Sequence, residues 1–204
     1  MAYRRTETVV ARLAETRERI IDAALRLVAQ HGYGDTGIPA IAAEASLSTG
    51  ALYRYFPSKA ELFDEVFRRA SQREIDVCIV AAQQPGTAVE RISGVIDVFA
   101  RRALKGRRLA WALLSEPVDA LVEADRRRYR LPYRHIFSTL IEDGIHAGEL
   151  PPQDSVLTAS AIIGALVEAL LGPLAPQARK TDQNKLIRDL TQFCIRAVGA
   201  AERA

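Results

Sequence analysis

Apolar residues recur at the spacing of an α-helix along most of this chain. In the first strongly patterned segment, Ile20, Ala24 and Val28 share one helical face, and Gly32 follows as a helix stop. We find no convincing segment with the alternating pattern of a half-buried strand. The pattern therefore predicts an all-α protein of about nine helices.

Breaks in the pattern give the expected helix bounds. The clearest break, Gln84-Pro85-Gly86, marks a boundary in the chain. Ser58 followed by Glu61 has the capping-box spacing that begins a helix. Beyond the first helix, we expect helices over residues 38–45, 49–56, 58 to about 80, 87–104, 108–115, 119–144, 154–171 and 181–200.

Composition places the chain among ordinary soluble globular proteins. It has 204 residues, of which 49% are apolar and 26% charged. Cys78 and Cys194 are far apart in sequence and form no Cys-x-x-Cys motif, which predicts neither a disulfide framework nor a zinc site. The N-terminal segment contains arginines but no apolar signal-peptide core. We therefore expect a protein of the reducing cytoplasm.

One segment, residues 156–175, is long enough to cross a lipid bilayer. Glu168 lies well inside this segment, and a carboxylate in the middle of a membrane costs roughly 2.5–3.5 kcal/mol. No second apolar segment accompanies it. The segment is therefore predicted to be a buried helix of a soluble protein, with no membrane as a partner.

Charge is unevenly distributed along the chain. The formal net charge is only +3, but residues 101–134 are strongly basic. This cluster lies far along the chain from the motif described next. We therefore interpret it as a solvated helix face or, alternatively, as a site for an acidic ligand group or a gate.

The most informative segment is residues 38–59. Its first helix is followed by a tight turn at Ser46-Leu47 and then by Ser48, a residue suited to cap the next helix. The small residues at 49–51 let the start of that helix approach phosphates and base edges closely. This arrangement predicts a helix-turn-helix whose second helix enters the DNA major groove.

Polar side chains around the second helix are the candidate DNA contacts. Tyrosine hydroxyls can bond to phosphates, and arginine can pair with phosphate or guanine or remain solvated. Leu52 and Phe56 fall instead on the buried face and are predicted to be core. The candidate contacts are Thr36, Ser48, Thr49, Gly50, Ala51, Tyr53, Arg54, Tyr55 and Lys59. The N-terminal arm, which either enters a minor groove or is a disordered tail, carries Arg4, Arg5 and Arg12.

Residues 16–63 strongly resemble the DNA-binding domain of TetR-family transcriptional regulators. The resemblance rests on an ordered set of positions: Ile20, Ala23, Ala24, Gly32, Tyr33, Ile41, Ala42, residues 48–53, Phe56, Ser58, Lys59 and Leu62. Two positions depart from the family's pattern. Gly37 stands where Ser or Thr usually opens the second helix, a role that Thr36 could take over. Ser46 stands where the turn usually has glycine, so a left-handed backbone there would be mildly strained.

The resemblance implies two domains. These are a helix-turn-helix domain over residues 1–60 and a ligand-binding and dimerisation domain over residues 61–204, linked through the helix that begins at residue 58. It also implies a homodimer in which the last two long helices pair with their mates. The sequence supports this pairing independently of the resemblance. Gly164 and Gly172 belong to a series of positions spaced four residues apart, and small residues at this spacing let two helices approach closely.

Aromatic residues of the C-terminal helices are either core or the wall of a ligand pocket, because the resemblance places pockets in this core. Glu168 is either a polar group in such a pocket or a hydrogen-bonding group in the dimer interface. The candidate ligand-binding residues are Phe99, Trp111, Tyr129, Tyr133, Phe137 and Glu168. The expected ligand is a small, mostly apolar molecule.

These features together predict a DNA-binding transcriptional regulator, a repressor that the ligand releases from a palindromic operator. A TetR-like activator or a ligand-independent regulator is the alternative. An all-helical enzyme or binding protein is more distant, because the chain contains none of the common catalytic motifs. No cofactor and no metal site are predicted.

Overall fold

The computed structural model describes residues 2–179 and 182–199, and these residues form ten helices and no strand. One helix, α3, is a single turn. The helices are α1 (Ala2–His31), α2 (Ile38–Glu44), α3 (Thr49–Leu52), α4 (Lys59–Ala82), α5 (Ala88–Lys105), α6 (Arg107–Leu114), α7 (Ala120–Arg128), α8 (Leu131–His146), α9 (Ser155–Leu174) and α10 (Gln183–Ala197). The all-α prediction is therefore confirmed.

Two helices differ clearly from their predicted bounds. α1 extends back to Ala2, so the backbone of the N-terminal arm is helical and not a disordered tail. The helix expected over residues 119–144 is divided into α7 and α8 at Tyr129-Arg130. Pro132, near the start of α8, has no N–H to donate to the carbonyl of Arg128, so the helical hydrogen bonding is interrupted here.

Two further helices are shorter than predicted. α3 ends at Leu52, and tight turns carry the chain onward, because the N–H groups of Arg54 and Tyr55 bond to carbonyls three residues back (3.2 and 2.9 Å). The helix expected over residues 181–200 is observed as α10. The predicted ends at 181 and 200 lie outside the described residues.

The N-terminal part of the chain packs around aromatic side chains. The ring of Tyr33 meets that of Phe63 edge-on, with centroids 4.6 Å apart, and lies 6.0 Å from that of Phe67. Leu52 and Phe56 belong to the same core and are 0% and 3% exposed. Their predicted place in the core is confirmed.

α4 is shared by two cores. Its first half carries Phe63 and Phe67 into the N-terminal core, and its second half carries Cys78 into a core formed with α5, α8, α9 and α10. Burial raises the pKa of the Cys78 thiol to about 12. Cys78 and Cys194 are both free and buried. Because both cores pack on one continuous helix, a displacement of side chains in one core changes the packing of the other.

α9 has two different faces. Of the described helices, it is the one that is long and apolar enough to cross a membrane by length and composition, and 33% of that stretch is buried. Ile162, Leu166 and Leu170 lie on the buried face, whereas Leu157 is 68% exposed. The helix predicted to be buried is therefore buried on one side only.

Ser46, in the turn between α2 and α3, has a left-handed backbone with φ of 56°. We expect Ser46→Gly to raise the free energy of unfolding by about 0.5–1 kcal/mol, because relief of strain outweighs the added freedom of glycine in the unfolded chain. Urea unfolding followed by circular dichroism measures the change.

A matched control for this substitution is Ala43→Gly. Ala43 lies in α2 and is exposed, and glycine at an ordinary helical position should lower the free energy of unfolding by about 0.5–1 kcal/mol. A Ser46→Gly protein that is no more stable than the wild type would contradict the interpretation of backbone strain.

Candidate nucleic-acid interface and cavity

The turn between α2 and α3 fixes where α3 begins. The N–H of Leu47 bonds to the carbonyl of Ala42 (2.8 Å), which closes the turn. The hydroxyl oxygen of Ser48 accepts a hydrogen bond from the N–H of Ala51 (3.2 Å) and so caps α3. The two helices and the intervening turn have the form of a helix-turn-helix.

One side of α3 and of the turns after it is open to solvent. Tyr53 is 44% exposed, whereas its neighbour Leu52 is fully buried. A Cβ atom added at Gly50 would meet no other atom within 4 Å, so packing inside the chain does not require glycine there. Ser48, Thr49, Gly50, Tyr53 and Arg54 are exposed, and Ala51, Tyr55 and Lys59 are partly exposed. We call these eight residues the reading surface.

Lys59 lies at the edge of the reading surface, on the first turn of α4. Its ammonium nitrogen is 4.7 Å from the ring centroid of Tyr33 and 5.2 Å from that of Phe63. Such cation–π contacts hold the side chain against the N-terminal core while leaving the residue partly exposed. The ammonium group thus has a defined position beside α3.

Thr36 does not belong to the reading surface. It is only 1% exposed, and its hydroxyl group donates a hydrogen bond to the carbonyl of Gly32 (2.5 Å). The cap residue of α2 is Gly37, and no side chain caps this helix. Thr36 therefore does not take over the capping role that the sequence suggested, because its hydroxyl group closes the preceding loop instead.

Residues 32–37 connect α1 to α2, and a side chain from the C-terminal part holds this loop. The carboxylate of Glu116, which follows α6, accepts hydrogen bonds from the backbone N–H groups of Tyr33 (3.0 Å) and Gly34 (3.1 Å). Arg108 donates to the carbonyl of His31 and lies 3.6 Å from the Glu116 carboxylate. No local sequence signal marks Glu116 as a structural residue, because its partners lie more than eighty positions away.

A second bond joins the same two regions. The hydroxyl group of Tyr33 donates to the carboxylate of Asp119, and burial together with this bond raises the pKa of Tyr33 to about 12. Gly32 is confined as well, since a Cβ atom there would collide with the guanidinium group of Arg108. We call the contacts of Glu116 and Asp119 with this loop the loop clamp.

A cavity of about 900 Å³, counting its open mouth, lies among α4 to α9. Most of its wall is apolar, and α6, α8 and α9 contribute large side chains. Its apolar lining includes Phe99, Leu109, Leu113, Leu114, Phe137, Ile163, Leu166 and Val167. Such a space suits a small, largely apolar molecule.

Four of the six predicted ligand-binding residues line this cavity. They are Phe99, Tyr129, Tyr133 and Phe137. The rings of Phe99 and Tyr133 pack edge-on with centroids 5.4 Å apart. The hydroxyl group of Tyr129 donates to the Asp64 carboxylate (3.2 Å), which ties the cavity wall to α4.

The other two predicted ligand-binding residues lie outside the cavity. Trp111 is on α6 but packs against a small core of α5, α9 and α10. Glu168 is exposed on the outer face of α9, together with Gly164 and Gly172. The α-helical period places Glu168 opposite the buried face, which excludes a role in this cavity and leaves the dimer interface as its predicted place.

The basic residues of the segment 101–134 serve different structural roles. Arg101 pairs with Asp97 on the surface and Arg128 pairs with Asp125, in accord with a solvated face. Arg102, Arg126 and Arg130 instead line the cavity. Burial lowers the pKa of Arg126, and the neighbouring charge of Arg130 acts in the same direction.

We expect Glu116→Gln to lower the free energy of unfolding by about 1.5–3 kcal/mol, because it removes the charge from a buried acceptor of two backbone N–H groups. Thermal and urea unfolding measure the loss. Glu44→Gln removes an exposed carboxylate that pairs with Arg26 on the surface, and should change stability by at most about 0.5 kcal/mol. Equal effects of the two substitutions would show that the loop clamp contributes no more than a surface pair.

Two protein-family models match the chain. The model of bacterial regulatory proteins of the tetR family matches residues 20–66, and the model of the tetracyclin repressor-like C-terminal domain matches residues 85–170. The two models together cover well over half of the chain. They fall on the helix-turn-helix and on most of the helices around the cavity.

Similar proteins extend over nearly the whole chain. The HTH-type transcriptional repressor KstR of Mycolicibacterium smegmatis is 28% identical over 173 residues, which are 84% of this chain and 82% of that protein. The fatty acid metabolism regulator protein of Bacillus subtilis is 21% identical over 182 residues, covering 88% of this chain and 94% of that protein. The structure of FadR from Bacillus subtilis in complex with stearoyl-CoA has the same fold, with a TM-score of 0.76 at 22% identity over 89% of this chain and 98% of that one.

These similar proteins are transcriptional regulators and not enzymes. The capped helix-turn-helix, the helical C-terminal part and the two family models agree with one another. The chain therefore belongs to the TetR family of bacterial regulatory proteins.

Proposed function

We propose that this protein is a homodimeric repressor that a small, mostly apolar effector releases from a palindromic operator. The observation that carries the proposal is that one chain combines an exposed, capped α3 with an apolar cavity adjoining the loop clamp. The name of KstR describes a transcriptional repressor, and the similar structure of FadR from Bacillus subtilis is a complex with stearoyl-CoA. A TetR-like activator or a ligand-independent regulator is the alternative.

The reading surface inserts α3 into the major groove. Thr49 and Gly50 leave little bulk at the start of α3, so the backbone can approach base edges and phosphates. The exposed hydroxyl group of Tyr53 and the ammonium group of Lys59 then bond to phosphates on either side. Leu52 anchors the inner face of α3, because it is fully buried in the N-terminal core.

Two copies of the chain pair through the outer faces of α9 and α10. Leu157 and Phe193 are 68% and 53% exposed, and such large apolar surfaces favour burial against a partner. The exposed Gly164 and Gly172 let a second helix approach closely. A two-fold dimer places its two reading surfaces in successive major grooves. The operator therefore has two half-sites in inverted orientation, with their centres about one helical turn or more apart.

The effector acts on the reading surface through the loop clamp and α4. The cavity wall includes α4 and the end of α6, which leads directly into the segment between α6 and α7. Glu116 in that segment holds the loop before α2, and α4 begins beside the reading surface. A molecule that binds more tightly to one arrangement of these elements shifts the separation of the two reading surfaces and weakens operator binding.

These roles assign residues 1–60 to DNA reading and residues 61–204 to effector binding and dimerisation, with α4 crossing the boundary. A regulator of bacterial operators works beside the chromosome. We therefore place the protein in the cytoplasm.

The direct test of the proposal is selection of bound sequences from a random duplex DNA pool at moderate salt, where non-specific binding is suppressed. We expect enrichment of an inverted repeat. An enriched single half-site or direct repeat would contradict the symmetric dimer. No enrichment from a folded dimer would contradict the reading surface itself.

Substitution of Tyr53→Phe together with Lys59→Ala should abolish detectable binding to the selected operator, because both phosphate contacts are lost. Lys59→Ala alone should weaken binding and reduce the slope of log affinity against log salt by about one. Fluorescence anisotropy at several salt concentrations measures both effects, and sedimentation with circular dichroism checks the dimer and its helix content.

The matched control is Arg101→Ala. Arg101 is an exposed cation of the strongly basic segment and pairs with Asp97, away from the reading surface. We expect unchanged operator affinity and an unchanged salt slope. A loss of affinity in this variant, with full affinity in the double variant, would assign DNA binding to the basic segment instead.

A further inference from the structure

The wall of the cavity carries charged side chains as well as apolar ones. Three arginines, Arg102, Arg126 and Arg130, and one carboxylate, Glu74, line it. Arg102 donates two hydrogen bonds to Glu74 (2.5 and 2.8 Å), so the charges of this pair offset each other. The excess positive charge therefore lies at Arg126 and Arg130.

Arg126 is almost completely buried and incompletely bonded. It is 7% exposed, and its Nη atoms donate to the carbonyls of Ala112 (3.1 Å) and Glu116 (2.6 Å) and to the carboxylate of Glu123 (2.6 Å). Its Nε–H is buried and has no partner among the described residues. Buried donors are nearly always bonded in folded proteins, so an acceptor that reached this nitrogen would be strongly favoured.

The two carboxylates near Arg126 do not fully offset its positive charge. Glu123 is 47% exposed, so water screens its charge, and the carboxylate of Glu116 is directed to the backbone of the loop before α2. Arg130 adds a second positive charge close by. A mostly apolar cavity whose wall carries these two guanidinium groups fits a largely apolar molecule that bears a negative charge.

We propose, on the basis of the proposed function, that the effector carries an acidic group, such as a carboxylate, which Arg126 and Arg130 bind at the cavity wall. The planar fork of a guanidinium group matches a carboxylate and can bond to both of its oxygens. The apolar part of the molecule lies against Leu113, Phe137 and Leu166. A neutral molecule of the same shape supplies no further counter-charge, so Arg126 keeps only the half-exposed carboxylate of Glu123.

Binding of the acidic group also weakens a contact next to the loop clamp. The Nε atom of Arg126 is buried, so the guanidinium group turns to present it to the acidic group. That rotation loosens its bond to the carbonyl of Glu116, the residue whose carboxylate holds the backbone of Tyr33 and Gly34. The acidic group therefore both anchors the effector and perturbs the contact between the cavity and the DNA-reading part.

The test uses the full-length dimer and matched pairs of probes. Octanoate, decanoate and dodecanoate are compared with the corresponding primary alcohols, and 2-naphthoate is compared with 2-naphthol. Binding is followed by isothermal titration calorimetry and by the fluorescence of Trp111, the single tryptophan, which lies on the helix beside the cavity. We expect at least one acid to bind about tenfold or more tightly than its neutral partner.

Arg130→Gln should reduce this preference several-fold, and Arg126→Gln should remove it. Arg130 is exposed, so its variant folds even if Arg126→Gln, which loses bonds to two backbone carbonyls, does not. The matched control is Arg128→Gln, which makes the same charge change on the same helix but lies outside the cavity lining. This control should keep the full preference for the acid.

The outcomes separate this inference from the proposed function. If neutral and acidic members of every pair bind equally, or if the preference survives in Arg130→Gln and in folded Arg126→Gln, the acidic-group site is wrong. If neutral probes bind in the cavity and weaken operator binding, the proposal of an effector-released repressor is supported and the acidic-group site is not needed for it. If no probe of either kind binds, the acidic-group site is wrong and the assignment of the cavity to an effector loses its support.

Discussion

Two backbone N–H groups after the end of α1 decide how the parts of this molecule fit together. α1 ends at His31, and the N–H group of Tyr33 that follows is buried while that of Gly34 is partly buried. A buried donor without an acceptor is costly, and Glu116, from the other part of the chain, supplies both acceptors. The loop that leads into α2, and with it the orientation of α3, therefore depends on where the segment after α6 lies.

The end of α6, which leads into the same segment, forms part of the cavity wall. The cavity is therefore linked to the loop before α2 through neighbouring side chains. Arg126 lines the cavity and bonds to the carbonyl of Glu116, while the carboxylate of Glu116 bonds to the loop before α2. Under the proposed function, a small molecule in the cavity disturbs this contact by displacing one buried guanidinium group. α4 supplies a second connection between the N-terminal core and the C-terminal helices, because its two halves belong to different cores.

The outer face of α9 shows why composition alone describes this helix poorly. The helix is apolar on both sides, yet only one side packs within the chain. Glu168 and two glycines lie on the other side, among apolar residues that remain exposed in a single copy. A bilayer would leave the carboxylate unsatisfied, whereas a second copy of the helix can both cover the apolar residues and bond to the carboxylate. The pairing of two chains is the arrangement that suits all of these residues.

Much of the local structure followed from local signals. Helical periodicity, the hydroxyl caps at Ser48 and Ser58, and the small residues at the start of α3 act over four residues or fewer, and each of these features is present as expected. Pro132 carried a local signal too, because its missing N–H divides the helix that periodicity alone had joined. Tyr129, Tyr133 and Phe137 all line the cavity, although Tyr129 lies in the break between α7 and α8.

The sequence by itself thus determined the all-α fold, the helix-turn-helix and its buried anchors Leu52 and Phe56. Only the tertiary structure decided that Thr36 is buried, that Trp111 and Glu168 lie outside the cavity, and that Glu116 holds the loop before α2. The physical reason is separation along the chain. Elements are specified by interactions between near neighbours, whereas the bond from Tyr33 to Glu116 spans 83 positions and exists only because packing brings the two residues together.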